Sequence, residues 1–178
     1  MFSFIIFFFF SISSHATTML YVTDVEQALQ SDAVVVATIG QAVISPHPTY
    51  NTVMTETSIQ IDEIITGNAP TPLTIRQIGG TINGKTLYVP GDARFKNGEK
   101  VVLFLNSHDG IWYLTAMEQS KYNLQKHPRF GWIMTRDLHE GLLTKASSGG
   151  LVPYKPITNK PFLSLTDFKK KLQRGGVK

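Results

Sequence analysis

Hydrophobic positions along this chain fall into three regimes, each with its own period. The first is a continuous apolar run from Phe2 to Ile12, broken only by Ser3 and Ser11. It has no polar face, so it does not read as a helix packed on a domain. Ser14-His15-Ala16 follows, with small residues on either side of His15. An apolar core followed by small residues has the form of a secretory signal peptide cleaved after Ala16. The run is shorter than the roughly 20 apolar residues that cross a bilayer. In one respect it departs from the usual signal: no Lys or Arg precedes it.

The second regime is strand-like. Ala33 to Ile39 is β-branched and apolar at successive positions, as in a strand covered on both faces. It continues through Gly40, expected as a bulge or close backbone approach, to Ile44, and stops at Pro46-His47-Pro48. Thr52 to Ile65 alternates: Val53, Thr55, Thr57, Ile59 and Ile61 on one side, and Met54, Glu56, Ser58, Gln60 and Asp62 on the other. The alternation breaks at Asp62-Glu63, which predicts a bulge. Further strands are expected from Leu73, from Lys85 to Val89, from Val101 to Leu105 and from Ile111 to Met117. Shorter ones are expected at Lys121 to Leu124, Gly131 to Thr135 and Gly141 to Thr144. Asn83-Gly84 and Asp109-Gly110 carry the composition of tight hairpin turns. Ala146 to Pro161 is rich in Ser, Gly and Pro and reads as a loop.

The third regime is helical. Thr23-Asp24-Val25-Glu26 has the form of a capping box opening a short helix to about Gln30, and Ser164-Leu165-Thr166-Asp167 has a related form. After Ser164, Leu165, Phe168 and Leu172 share one face and lysines the other. Packing of this amphipathic segment on the domain is favoured over a membrane surface, because its apolar face is small.

Together these elements predict a mainly β protein: a small Greek-key, OB-fold-like barrel with a short N-terminal helix and a C-terminal amphipathic helix. The expected organisation is a signal peptide over residues 1–16, a β-barrel domain over 17–145, a loop or linker over 146–163, and a C-terminal helix and basic tail over 164–178.

Composition narrows the picture. The chain has no cysteine, so disulfides, thiolate metal sites and a cysteine nucleophile are excluded. Without its leader the chain has about 160 residues, the size of one domain. Export together with the lack of cysteine points to a secreted or periplasmic bacterial protein. The formal charge is +4, with Lys169, Lys170, Lys171, Arg174 and Lys178 concentrated at the end. In an exported protein this tail reads as solvated surface rather than a nucleic-acid site.

No catalytic residue, metal site or cofactor is assigned from the sequence. His47, His108 and His127 fall in turns and are expected to be exposed. His139-Glu140 lacks the second histidine of a zinc protease motif. Gly79 and Gly84-Lys85-Thr86 match the spacing of a phosphate-binding loop, but Leu87-Tyr88-Val89-Pro90 follows where a helix is required, so a hairpin is expected instead. The binding candidates are the late aromatics Trp112, Tyr113, Tyr122 and Trp132, with Phe130 beside them. They either fill the core or stack on a sugar or peptide.

The chain also resembles a group of uncharacterised secreted bacterial proteins. The resemblance rests on residues 31–36, 59–67, 79–80 and 95–105. In layout it is similar to the barrel of tissue inhibitors of metalloproteases and netrin-like modules. Those inhibitors act through an N-terminal cysteine, which this chain lacks, so only a fold analogy carries over. The expected function is a non-enzymatic binding module of the cell envelope, with an envelope protein, peptide or glycan as partner. The alternatives are a hydrolase drawing on Asp92, Asp109 or His108, and an inhibitor-like accessory domain.

Overall fold

Two strands buried on both faces organise this protein. A computed structural model describes residues 18–138, 142–154 and 162–177. The expected leader, His139 and the whole stretch from Lys155 to Pro161 therefore lie outside the described residues. Strand β1 (Thr18–Leu20) is followed by helix α1 (Asp24–Gln30), whose N-terminus is closed by the capping box: the Thr23 hydroxyl accepts from the Glu26 amide, and the Glu26 carboxylate accepts from the Thr23 amide at 3.0 Å. Strands β2 (Ala33–Pro46), β3 (Val53–Gly67) and β4 (Leu73–Ile78) form an antiparallel meander. A small hairpin, β5 (Gly80–Ile82) and β6 (Lys85–Leu87), turns through Asn83 and Gly84 at φ 50° and 72°. The stretch matching the phosphate-loop spacing is thus a hairpin, as its neighbours predict.

Strand β7 (Lys100–His108) returns to lie beside β2, and β8 (Ile111–Leu114) folds back on β7 through Asp109-Gly110, both at positive φ. A 3-10 turn (Met117–Ser120) leads into β9 (Lys121–His127) and β10 (Gly131–Thr135). A second sheet joins β1, in parallel, to β11 (Leu142–Ser147), which pairs with β12 (Gly150–Pro153). These strands occupy part of the region expected as loop, because Ser148 and Gly149 provide the reversal and Leu151-Val152 the extended backbone. The short β13 (Leu163–Ser164) pairs with β10 and runs into helix α2 (Leu165–Arg174).

The main sheet runs β13-β10-β9-β7-β2-β3-β4-β8, and the β7–β8 pairing bends five of its strands into a ring, β2-β3-β4-β8-β7. Its seam is thin: β4 and β8 meet in parallel at the single pair Ile75 and Trp112. The bulges fall where the sequence breaks its alternation. The β2–β3 register shifts between Val36 and Ala37, opposite Asp62, and again between Ile39 and Ala42, at Gly40. A third shift, between Val34 and Val35, was not anticipated.

The ring strands β2 and β7 are buried on both sides by two separate cores. Val35, Ala37, Ile39, Leu103 and Leu105 face Ile59, Leu73 and Ile75 inside the ring. Val34, Val36, Val102 and Phe104 face outward beneath Leu165, Phe168 and Leu172 of α2 and Ala28 of α1. Phe168 meets Phe104 edge-on, with ring centroids 5.9 Å apart. Both Phe168 and Leu172 are fully buried, and such burial stabilises by about 2 kcal/mol per side chain. The amphipathic C-terminal segment therefore packs on the domain. The basic tail is less free than its composition implies: Lys169 pairs with Glu63 at 2.6 Å and Lys171 with Asp24 at 2.7 Å. No helix among the described residues is long and apolar enough to cross a membrane.

Candidate functional site

The stretch between β6 and β7 carries no hydrophobic period, and it forms one wall of a cleft. Pro90-Gly91 ends the preceding extended run, and Gly91, at φ 79°, offers its carbonyl to the Glu118 amide at 3.0 Å. Asp92 accepts from the Ala93 amide at 2.9 Å, and the Gln77 side chain ties the Ala93 carbonyl to β4 at 2.8 Å. Farther along, Gly98 and Glu99 exchange backbone hydrogen bonds with Ile39 at 2.8 and 2.9 Å. A loop held at so many points is preorganised rather than adaptable.

Behind it lies a cleft of about 260 Å³, whose opposite wall is the 3-10 turn and β9. Its charges are largely committed. Lys121 donates to Glu99 at 2.7 Å and to the Arg94 carbonyl at 2.5 Å, with its ammonium 5.3 Å from the Phe95 ring. Asn123 donates to Asp137 at 2.7 Å, while its own carbonyl oxygen is buried with no partner among the described residues. The Arg94 guanidinium lies over the Tyr88 ring at 4.9 Å. Burial pushes the Asp92 carboxyl above its ordinary value, against hydrogen bonds from Gln77 and the Ala93 amide that pull it down. A smaller cavity of about 140 Å³ adjoins, sharing Tyr88, Asp92, Ala93 and Arg94. Its other walls include Ile78, Leu87 and Val89. The two make one groove, apolar at one end and charged at the other.

The aromatics picked from the sequence do not converge. Trp112 packs against the core inside the ring. Tyr113 sits on the β7–β8 hairpin opposite Asn106. Tyr122 packs beneath α2 on the outer core, donating its hydroxyl to Asp24 at 2.7 Å with Arg136 over its ring at 4.0 Å. Trp132 is 37% exposed, with the Lys100 ammonium 5.4 Å from its ring. Nor are the hydrolase candidates assembled: Asp92 lines the cleft, while His108 and Asp109 pair with each other on an exposed turn. His47 lies in the connection after β2, whereas His127 is the last residue of β9 rather than a turn residue, and both are half-buried rather than exposed, because Tyr50 covers the first and Phe130 and Phe162 the second. Among the described residues, no group of His, Asp and Glu is placed to hold a metal.

A buried polar cluster stands apart from the cleft. Asp24, 6% exposed, accepts from Tyr122, from Lys171 at 2.7 Å and from Arg136 at 3.2 Å. Beside it, fully buried Gln27 donates to Ser120 at 2.7 Å. Burial alone would raise the Asp24 carboxyl, but Arg136, Lys171 and Tyr122 outweigh it and hold the group below its ordinary value. Nearby Tyr21, stacked on Tyr154 at 4.0 Å, has its hydroxyl pushed up to about 12 by burial and by that neighbour. The partners of Asp24 come from β9, from the residue after β10 and from α2, so the cluster fastens α1 and α2 to the sheet.

Sequence reasoning missed the cleft because its members are drawn from separate segments. The one local signal was Pro90-Gly91, which marks an irregular, fixed loop. Comparison with protein-family models, with curated proteins and with solved structures finds no match to this chain.

Proposed function

We propose that the protein is a non-enzymatic binding module of the bacterial cell envelope that holds an extended peptide segment of another envelope protein. The observation that carries this reading is the bipolar groove around Tyr88 to Arg94, apolar toward Ile78 and Leu87 and charged toward Glu99 and Lys121. A peptide with an apolar side chain beside a charged one fits both ends. Two facts favour a peptide over a glycan. Among the described residues Tyr88 is the only aromatic lining the groove, and its ring already carries Arg94. The paired state of Lys121 and Glu99 favours binding over proton transfer, because a general acid or base must change its charge during reaction.

The scaffold reading is an OB-like Greek key. It is supported by the spatial order β7-β2-β3-β4, in which a three-strand meander is joined by a fourth strand returning beside the first. Placement in the envelope rests on the apolar leader and the absence of cysteine.

The test is selection from a displayed random-peptide library. Enriched peptides should pair an apolar with a charged residue, and both Tyr88→Ala and Lys96→Glu should weaken their binding at least tenfold, roughly what losing one good contact costs. Equal binding to the wild type and both variants, or no enrichment, rejects the groove as the site.

A further inference from the structure

We propose that the outer end of the β9–β10 hairpin docks on an anionic phospholipid bilayer surface, independently of the groove. Strand β9 pairs with β7 only through Lys121–Asn123, and β10 pairs with β13 only at Ile133 and Met134. The last rungs, Lys126 with Trp132 and His127 with Gly131, have no further strand beside them among the described residues. The hairpin thus reaches past the sheet, and its turn is fixed by the Arg129 amide donating to His127 Nδ1 at 3.1 Å.

This end carries exposed aromatic rings on both of its faces. Trp132 shares the parity of Leu124 and Met134, which belong to the outer core. His127 has the opposite parity, and Phe130 and Phe162 pack on its ring at 4.8 and 5.3 Å. Phe130 is 52% exposed and Phe162 40%. A folded partner covers one face of a hairpin; the boundary between headgroups and acyl chains surrounds its tip.

Charge selects the kind of surface. From Lys121 to Arg136 the chain has no Asp or Glu, and Lys126 and Arg129 flank the turn, both exposed. Lys100, whose ammonium lies 5.4 Å from the Trp132 ring, is paired with Asp62 at 3.1 Å. A basic turn with aromatic rings is matched to acidic lipid headgroups. Another exposed hairpin end, the one carrying Tyr50, lies in a stretch with no Lys or Arg from Ala33 to Ile75 and lacks this match.

The experiment is flotation of the purified full chain with vesicles of phosphatidylcholine alone or mixed with phosphatidylglycerol. Binding is expected only to the mixed vesicles and should fall as salt is added. Arg129→Glu and Phe130→Ser should each weaken it about tenfold, whereas Tyr50→Ser should leave it unchanged. All three positions are exposed, and circular dichroism matching the wild type verifies their folding. In Trp112→Phe, where Trp132 is the sole tryptophan, emission should shift to the blue on adding mixed vesicles. Equal binding to both vesicle types, wild-type binding by the Arg129 and Phe130 variants, an equal loss with Tyr50→Ser, or an unmoved Trp132 emission overturns the proposal. So does retention on an envelope polysaccharide that Phe130→Ser abolishes, without vesicle binding.

Discussion

Two aspartates show how surroundings of opposite kind act on the same side chain. Asp24 is held below its ordinary value of 3.8 by Arg136, Lys171 and Tyr122 in spite of its burial. A depressed carboxyl contributes stability that is fully present above the unfolded value and is lost as pH falls through the folded one. Asp24→Asn should therefore cost about 3 kcal/mol in urea unfolding at pH 7, the range for breaking a buried ion pair. The gap between variant and wild type should close as pH drops below 3.8. Asp92 is raised, chiefly by burial, so the sign reverses: its contribution is present below the unfolded value and is lost as pH rises through the folded one. Asp92→Asn should raise the urea midpoint at pH 7 and leave it unchanged in acid. A lower midpoint at neutral pH would mean that the Asp92 carboxylate serves the loop in some other way.

At the scale of elements, the bends and caps decide where the strands and helices lie. Gly40 sits where a Cβ would collide with Ser58 Oγ and lie 3.1 Å from the Ser58 carbonyl oxygen. Gly40→Ala should destabilise by about 1–3 kcal/mol, as overpacking does. Adding Ser58→Ala should recover part of that loss, since the hydroxyl is the closest obstacle; a strictly additive double mutant would exclude the contact as the cause. For α2, Phe168→Ala should cost about 3–5 kcal/mol, whereas Ser164→Ala, which removes the hydroxyl accepting from the Asp167 amide at 3.0 Å, should cost about 1 kcal/mol. Calorimetry of the two variants separates packing from capping. These elements were legible beforehand because each is a local pattern: β-branched runs at Val34 to Val36, Asn-Gly and Asp-Gly turns, and capping residues three apart. Strand β12 was not, because Ser148 to Gly150 outweighed Leu151-Val152 in composition, and its extended form depends on pairing with β11.

At the scale of the whole molecule, the ring closes at one pair, Ile75 and Trp112. Amide exchange should accordingly be faster in β4 and β8 than in β2 and β7, which are covered by both cores. Equal protection would mean that side-chain packing alone holds the seam. The candidate cleft was illegible for a related reason: Lys121 reaches Glu99 across 22 residues and Arg94 across 27, and no window of sequence carries that meeting. Similar reach governs the start of the chain. Lys171 bonds Asp24 from 147 residues away, and Thr144 bonds the Met19 carbonyl from 125. During synthesis, the segment from Thr18 to Gln30 has none of these partners until almost the entire polypeptide has left the ribosome. The end of the chain made first is therefore fully secured only by residues made close to the other end.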